Sequence, residues 1–366
     1  MDQVDEQVED SEDDQDTVIQ DLEPLSYFGT DFDVHGLVRR LNSGDIVVPN
    51  FDPAPTGTPG TGGFQRKFVW KRPQMDRFVE SLLLGFPIPG IFLVQQRNKK
   101  LLVLDGQQRL RTLQRFYDEK LENGAQFVLD NVADDFKGLK YSELEEDLRR
   151  TLDNTFIHAT VVKYSPTVSG NESVYSLFER LNTGGTNLYP QEIRVALYHG
   201  SLVEAIRDMN AFPAWRNIFG PPSERLKDQE LILRFLAFWK EESQYKRPLK
   251  GFLNEFLGRH KNMEGLNIEE LRRTFEDTCN TASELLGRPA LRAESQVNAA
   301  FADAMMIGIA TRLKSGPITD GEALKAAREK LLENPEFKSS IARATADEDR
   351  VTRRLSMAKK AFRAVP

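Results

Sequence analysis

The chain has 366 residues, a length that suggests two domains, and its 40% hydrophobic and 29% charged content is typical of globular proteins. No apolar run is long enough to span a membrane, and the acidic N-terminus is unlike a signal peptide, so we expect a cytoplasmic protein. The single cysteine, Cys279, excludes an internal disulfide framework and a cysteine-based zinc site.

The net charge of −7 arises at the N-terminal end of the chain. Thirteen acidic residues and no lysine or arginine precede Arg39, which leaves 49 basic against 43 acidic residues in the rest. We therefore predict that residues 1–24 form an acidic, disordered tail and that the folded body is mildly basic, which permits contact with duplex DNA. An alternative is that the tail competes with nucleic acid for a basic groove.

The first predicted elements alternate between helices and strands. Apolar spacing predicts a helix over 33–42 and a strand at 46–48. Residues 50–63 are rich in proline, glycine and threonine, which predicts a surface loop. A second amphipathic helix begins at Pro73 and ends at Gly85. The other predicted strands of this half are 91–94, 101–104, 127–129 and 156–164.

The sequence LLVLDGQQRLRTL, residues 101–113, carries the strongest chemical signal. It predicts a buried strand that turns at Asp105 and Gly106 directly into a helix. Such a turn directs backbone N–H groups and the positive end of the helix at one point, which suits a phosphate. Arg109, and in second place Arg111, would add charge-assisted contacts. The alternative is an ordinary strand-to-helix turn with solvated arginines.

A second polar stretch lies near the middle of the chain. Residues 172–181 predict a helix whose end is marked by Asn182, Gly184 and Gly185, and Pro190 opens the next helix. The loop between these helices is rich in backbone donors.

The sequence QEIR at 191–194 could meet a ligand held at the Asp105 turn, or it could form charge pairs within helices. His158 has no second histidine or cysteine nearby, so we expect a packed or hydrogen-bonded strand residue. From Leu202 to the end, apolar stripes at helical spacing predict helices. We therefore place a domain at 25–200 and a helical domain at 201–366.

Four blocks of sequence resemble the N-terminal domain family of the GmrSD-type modification-dependent restriction enzymes. They occur in that family's order and approximate spacing and are FQRKFVWKRPQMDRFVESLLLGFPIPGIFL, VLDGQQRLRTL, LFERLNTGG with QEIRVALY, and ERLKDQELILRFLAFW. The resemblance implies an α+β fold, with a ParB/sulfiredoxin-like mixed α/β core followed by a mainly helical C-terminal half.

The resemblance also implies a site for a nucleoside triphosphate with Mg²⁺. Asp105 would hold the metal ion or orient the attacking water, and Arg109 would stabilise phosphate charge. By motif position, the nucleotide-binding residues are Gly106, Gln107, Gln108 and Arg109, with Arg66, Asn182, Gly184 and Gly185 as neighbours.

For function, the resemblance implies a nucleotide-binding and hydrolysing regulator in DNA restriction or phage defence. We expect it to act with a separate nuclease, because an HNH nuclease needs several histidines and only His260 follows His199. The chain is therefore expected to stand alone without the HNH part. One alternative is a DNA-binding or adaptor protein of the same fold that does not hydrolyse nucleotide. Another is a metal-dependent nuclease that uses the DGQQR turn itself.

Overall fold

The computed structural model describes residues 22–49, 70–163, 165, 167–181 and 188–366. These residues form two compact units. The sheet unit lies within residues 22–188, and the helical unit comprises residues 189–366. Most of the predicted acidic tail and the predicted loop at 50–63 lie outside the described residues.

A five-stranded mixed sheet forms the centre of the sheet unit. Its strands are β1 (Tyr27–Asp33), β2 (Ile46–Val47), β3 (Ile91–Gln95), β4 (Leu101–Asp105) and β5 (Phe156–Val162). Their order across the sheet is β1-β5-β3-β4-β2. β1 and β5 are antiparallel, as are β3 and β4, whereas β3 and β5 run parallel and β2 runs parallel to β4. The last strand in sequence therefore lies between the first strand and the rest.

Five α-helices accompany this sheet in the part of the unit that the structure describes. They are α1 (Val34–Asn42), α2 (Arg72–Leu83), α3 (Gln107–Tyr117), α4 (Glu146–Asp153) and α5 (Val168–Leu181). The core cluster combines apolar residues of α1, α2 and α3, such as Leu37, Val79 and Leu113, with Leu93 and Val103 of the sheet. Residues that alternate with these along the strands face the other side of the sheet, where α5 contacts β4.

The helical unit consists of ten α-helices within its described residues. They are α6 (Pro190–Leu197), α7 (Ser201–Asn210), α8 (Pro213–Phe219), α9 (Lys227–Glu241), α10 (Leu249–Arg259), α11 (Ile268–Leu285), α12 (Ala299–Leu313), α13 (Gly321–Glu333), α14 (Pro335–Ala342) and α15 (Glu348–Phe362). Buried aromatic side chains pack in its core, where Trp215 and Phe235 both contact Phe275. None of the described helices combines the length and apolarity needed to cross a bilayer.

The predicted α+β class is confirmed, with a mixed sheet in the first half and helices in the second. The strand predicted at 127–129 is wrong. Phe127 and Leu129 are buried, but their N–H groups bond to the carbonyl oxygens of Glu119 and Leu139, outside the sheet. His158 is hydrogen-bonded as expected, since its Nδ1 lies 2.9 Å from Asp31 Oδ1 on the neighbouring strand.

Candidate functional site

Gly106 alone joins β4 to α3. Its φ of 95° lies in the left-handed region, which side chains with a Cβ rarely adopt. A Cβ at this position would lie 2.5 Å from Ile91 Cγ2 on the adjacent strand, well inside van der Waals contact. Glycine is therefore required here for two independent reasons, its backbone conformation and its close approach to β3.

The N-terminus of α3 has no side-chain cap. Gly106 has no side chain to accept a hydrogen bond, and the first bond recorded at this end runs from Leu110 N–H to the Gly106 carbonyl oxygen at 3.0 Å. The N–H groups of the first turn of an α-helix have no partner within the helix, and they carry its positive partial charge. This end of α3 is therefore suited to an anion.

Asp105 and Arg109 form an ion pair beside this turn. Arg109 Nη2 lies 2.8 Å from Asp105 Oδ2, and Arg109 Nη1 donates to the carbonyl oxygens of Gly90, at 2.9 Å, and Pro89. The Arg109 side chain is 13% exposed, whereas that of Asp105 is 46% exposed. Arg109 is thus not a solvated arginine; it ties the segment before β3 to the end of β4 and leaves the Asp105 carboxylate accessible.

The two glutamines of the motif differ in their partners. Gln108 Oε1 accepts a hydrogen bond of 3.4 Å from the Trp70 N–H, and the Trp70 ring packs edge-on against Phe78. The Gln107 side chain is half-buried and has no hydrogen-bond partner among the described residues. Gln108 therefore helps to fix the segment before α2, and the Gln107 side chain is available to a ligand.

Arg111 lies one helical turn after Gln107 and is also half-buried. No hydrogen bond or ion pair within the described chain engages its guanidinium. Burial lowers the pKa of Arg111 and the charge of Arg115 lowers it further, while Glu122 acts in the opposite direction. One like charge and one opposite charge thus act on the Arg111 guanidinium.

The remaining predicted site residues, Arg66, Asn182, Gly184 and Gly185, lie outside the described residues. Their proximity to the DGQQR turn stays a prediction. The structure brings together the five residues from Asp105 to Arg109 at the end of β4.

The QEIR residues belong to a hydrogen-bonded network inside the helical unit. Arg194 is 1% exposed; its Nε donates to Asn254 Oδ1 at 2.8 Å, and its Nη1 lies 2.9 Å from Glu230 Oε2. Glu192 is fully buried, and its Oε2 accepts from the Tyr189 N–H at 2.6 Å, which caps α6. The ion pair of Arg194 therefore joins α6 to α9 and is not a charge pair within one helix, as one interpretation of this sequence had it.

A groove of about 570 Å³ lies between the sheet and α5 within the sheet unit. This volume is within the range of small-molecule sites. The strands contribute Tyr27, Phe92 and Thr160 to its lining, and α5 contributes Ser176 and Arg180. Since Phe92 is the strand partner of Asp105, the groove reaches the strand position next to the DGQQR turn.

Comparison with protein families locates this site within a known domain. Residues 41–199 match the family model described as the N-terminal domain of the GmrSD restriction endonuclease. This segment belongs to that family. Searches among curated proteins and among solved structures give no match. The GmrSD N-terminal domain includes β2 to β5 and α2 to α6, and with them the DGQQR turn.

Asp105 provides an accessible carboxylate at the DGQQR turn of this GmrSD N-terminal domain. The described residues contain no group of three or more histidine, cysteine, aspartate or glutamate side chains arranged to hold a metal ion. Mg²⁺ at nucleotide sites is usually bound by one or two carboxylates together with phosphate oxygens and water. The accessible Asp105 carboxylate fits a metal ion that enters with a nucleotide.

Several residues of this GmrSD N-terminal domain were not predicted as part of the site. The carbonyl groups of Pro89 and Gly90 hold Arg109, and the groove depends on Tyr27 and Phe92. The proline-glycine turn before β3 was the available signal for the first pair. The sequence gives little signal for Tyr27, because β1 is an exposed edge strand.

Proposed function

We propose that the GmrSD N-terminal domain of this chain binds a nucleoside triphosphate at the start of α3 and hydrolyses it. Nucleotide turnover would regulate a separate nuclease in a restriction or anti-phage defence system, the class of role that the family membership supports. The uncapped N-terminus of α3 beside the accessible Asp105 carboxylate is the observation that carries the proposal. Helix N-termini that follow a glycine turn bind phosphate through backbone N–H groups and the helix dipole.

Each residue of the turn has a role in this proposal. The phosphate oxygens accept hydrogen bonds from the first-turn N–H groups and the Gln107 amide. Asp105 would orient the attacking water or hold the Mg²⁺ that accompanies the nucleotide, and that ion would supply positive charge beside the phosphates. Arg109 fixes the Asp105 carboxylate through its 2.8 Å contact. The groove beside Phe92 accommodates the nucleoside, where Tyr27 offers an exposed ring for stacking.

Phosphate release from each of the four ribonucleoside triphosphates with Mg²⁺ tests this proposal. We expect turnover by the wild type and a loss of at least about 100-fold in Asp105→Asn, because general acid–base and positioning groups contribute on that order. Glu146→Gln is the matched control, since Glu146 forms an exposed acid–arginine pair of the same spacing with Arg150. Thermal unfolding of each variant shows whether lost turnover reflects lost structure.

Duplex DNA added to the same assay tests the link to restriction, and stimulation of turnover would support it. No phosphate release under any condition would refute hydrolysis.

A second candidate is a DNA-binding or adaptor protein that binds nucleotide without hydrolysing it. The engagement of Arg109 by Asp105 and two backbone carbonyls favours this candidate, because the guanidinium is occupied and cannot readily move to a transferring phosphate. Calorimetric titration with a non-hydrolysable triphosphate separates the two candidates from a protein without a nucleotide site. Binding without turnover supports the adaptor, and absence of binding refutes both.

A further inference from the structure

We propose that the groove between the sheet and α5 binds the base of the nucleotide, and that the hydroxyl groups of Ser176 and Thr160 form hydrogen bonds with the polar edge of that base. This inference rests on the proposed function, since it assigns the part of the ligand that lies away from the phosphates. The residues that carry it line the groove and are separate from the start of α3.

Two serines on one face of α5 differ in their hydrogen bonding. Ser173 and Ser176 lie about one helical turn apart, both line the groove, and they are only 5% and 8% exposed. Ser173 Oγ donates to the carbonyl oxygens of Glu23, at 2.8 Å, and Ser169, at 2.9 Å. Ser176 Oγ has no hydrogen-bond partner among the described residues, although a helical serine can bond to the carbonyl four residues before it, as Ser173 does.

The Ser176 hydroxyl is open to the groove. The buried side-chain atoms of the described chain that lack both solvent contact and a hydrogen bond do not include Ser176 Oγ. Since this oxygen has no partner, it must be in contact with solvent, and the surface that the residue lines is the groove. A hydroxyl in a largely buried residue without a hydrogen bond is unfavourable, and a ligand with a donor or an acceptor at this point would remove that cost.

The sheet side of the groove adds a second hydroxyl and two aromatic rings. Thr160 on β5 is half-buried, and its side chain has no hydrogen-bond partner in the described part of the chain. Phe92 is the strand partner of Thr160 on β3, and paired residues of neighbouring strands present their side chains to the same face. Tyr27 on β1 lines the groove with a ring that is 68% exposed. A ligand that fits this lining has an apolar ring face and an uncharged polar edge.

A nucleobase has both properties. Its faces stack on aromatic side chains, and its edge carries hydrogen-bond donors and acceptors. The Ser176 hydroxyl can both donate and accept, so it can bond to either type of group. Phe92 is also the strand partner of Asp105, so a base in the groove lies one strand away from the DGQQR turn. An apolar side chain of a partner protein would leave both hydroxyls without a hydrogen bond, which favours the base as the occupant.

Calorimetry on the full chain compares the wild type with Ser176→Ala and Thr160→Val. The probes are the four ribonucleosides, their triphosphates and inorganic tripolyphosphate, which has no base. We expect each variant to bind a nucleoside and its triphosphate about three- to tenfold more weakly, as loss of one hydrogen bond predicts, with tripolyphosphate affinity unchanged. Ser81→Ala is the matched control, because Ser81 Oγ donates to the Arg77 carbonyl on an exposed part of α2, and it should bind every probe as the wild type does.

Thermal unfolding without ligand distinguishes a binding role from a structural one. Ser176→Ala removes a hydroxyl that has no partner, so its Tm should be unchanged or higher. Ser173→Ala removes a donor from the carbonyl groups of Glu23 and Ser169, so its Tm should fall.

Thiol labelling tests directly whether a ligand covers position 176. Cys279 is the only cysteine of the chain and is fully buried, so Ser176→Cys introduces a single accessible thiol. We expect iodoacetamide to alkylate Ser176→Cys, and a saturating nucleoside triphosphate to slow this reaction while tripolyphosphate does not. Ser81→Cys should react at the same rate with and without either ligand.

Separate outcomes would refute the inference and the proposed function. If Ser176→Ala binds the triphosphate as the wild type does, or if the triphosphate does not slow the alkylation of Ser176→Cys, the assignment of the groove fails and the proposed function stands. Equal falls in Tm for Ser176→Ala and Ser173→Ala would show a structural role for Ser176. A wild type that binds no nucleoside and no triphosphate would refute the proposed function and this inference together.

Discussion

The starts of α3 and α6 carry similar polar sequences, DGQQR and PQEIR, yet their side chains are used differently. At α6, Glu192 turns back to cap the helix and Arg194 is buried among hydrogen-bond partners. At α3, Gly106 provides no cap, and Gln107 has no partner among the described residues. The comparison teaches that polar residues at a helix start are available to a ligand only where the protein has not already satisfied them.

The largest effect on stability should come from a substitution in α6. Arg194→Ala removes a buried guanidinium and leaves Asn254 and Glu230 without their donor, so we expect a loss of about 3 kcal/mol in the free energy of unfolding. Urea unfolding followed by tryptophan fluorescence measures this loss. Arg150→Ala, at an exposed arginine, should change stability by less than about 0.5 kcal/mol. Equal effects of the two substitutions would show that the α6 network is not structural.

At the start of α3, a substitution of Gly106 should lower both stability and ligand binding. Gly106→Ala forces a Cβ into the left-handed region and against Ile91, so we expect a loss of about 2 to 3 kcal/mol and weaker tripolyphosphate binding. Gly85→Ala is the matched control, because Gly85 has a φ of 69° with nothing within 4 Å of its built Cβ. The difference between the two variants measures the contact with Ile91, and no difference would mean that β3 moves away freely.

A smaller effect should distinguish contacts to the nucleoside from contacts to the phosphates. Tyr27→Ala removes an exposed ring from the groove, and we expect nucleoside triphosphate binding to weaken by about 1 kcal/mol while tripolyphosphate binding is unchanged. Tyr27→Phe should retain the affinity. Phe28→Ala, which removes the next ring along β1 and is not part of the groove lining, should leave it unchanged. Equal losses for both ligands in Tyr27→Ala would contradict a nucleoside in the groove.

Local patterns were sufficient to predict most helices of the fold. The apolar stripes of α1, α2 and α9 are evident in the sequence and are buried as expected. β1 was not predicted, because an edge strand with mostly exposed residues has no apolar alternation. The error at 127–129 has a related cause, since a short apolar run signals burial but does not identify the partner of its backbone.

Of the candidate site too, local sequence patterns predict one part and miss another. The spacing of Asp105 and Arg109 places them one helical turn apart, so their proximity follows from local geometry. The carbonyl groups of Pro89 and Gly90 that also bind Arg109 come from the segment before β3, and no local pattern specifies them. Through this nonlocal contact, Arg109 connects the segment before β3 to the end of β4.

The strand order of the sheet unit determines when its strands can pair during synthesis. β5 is the last strand to leave the ribosome, yet it lies between β1, the first, and β3. Until Phe156–Val162 emerges, β1 has no strand to pair with, and one edge of β3 is open. Pairing across so much sequence is slow to close, so the nascent chain must carry two unprotected strand edges until a single late event joins them.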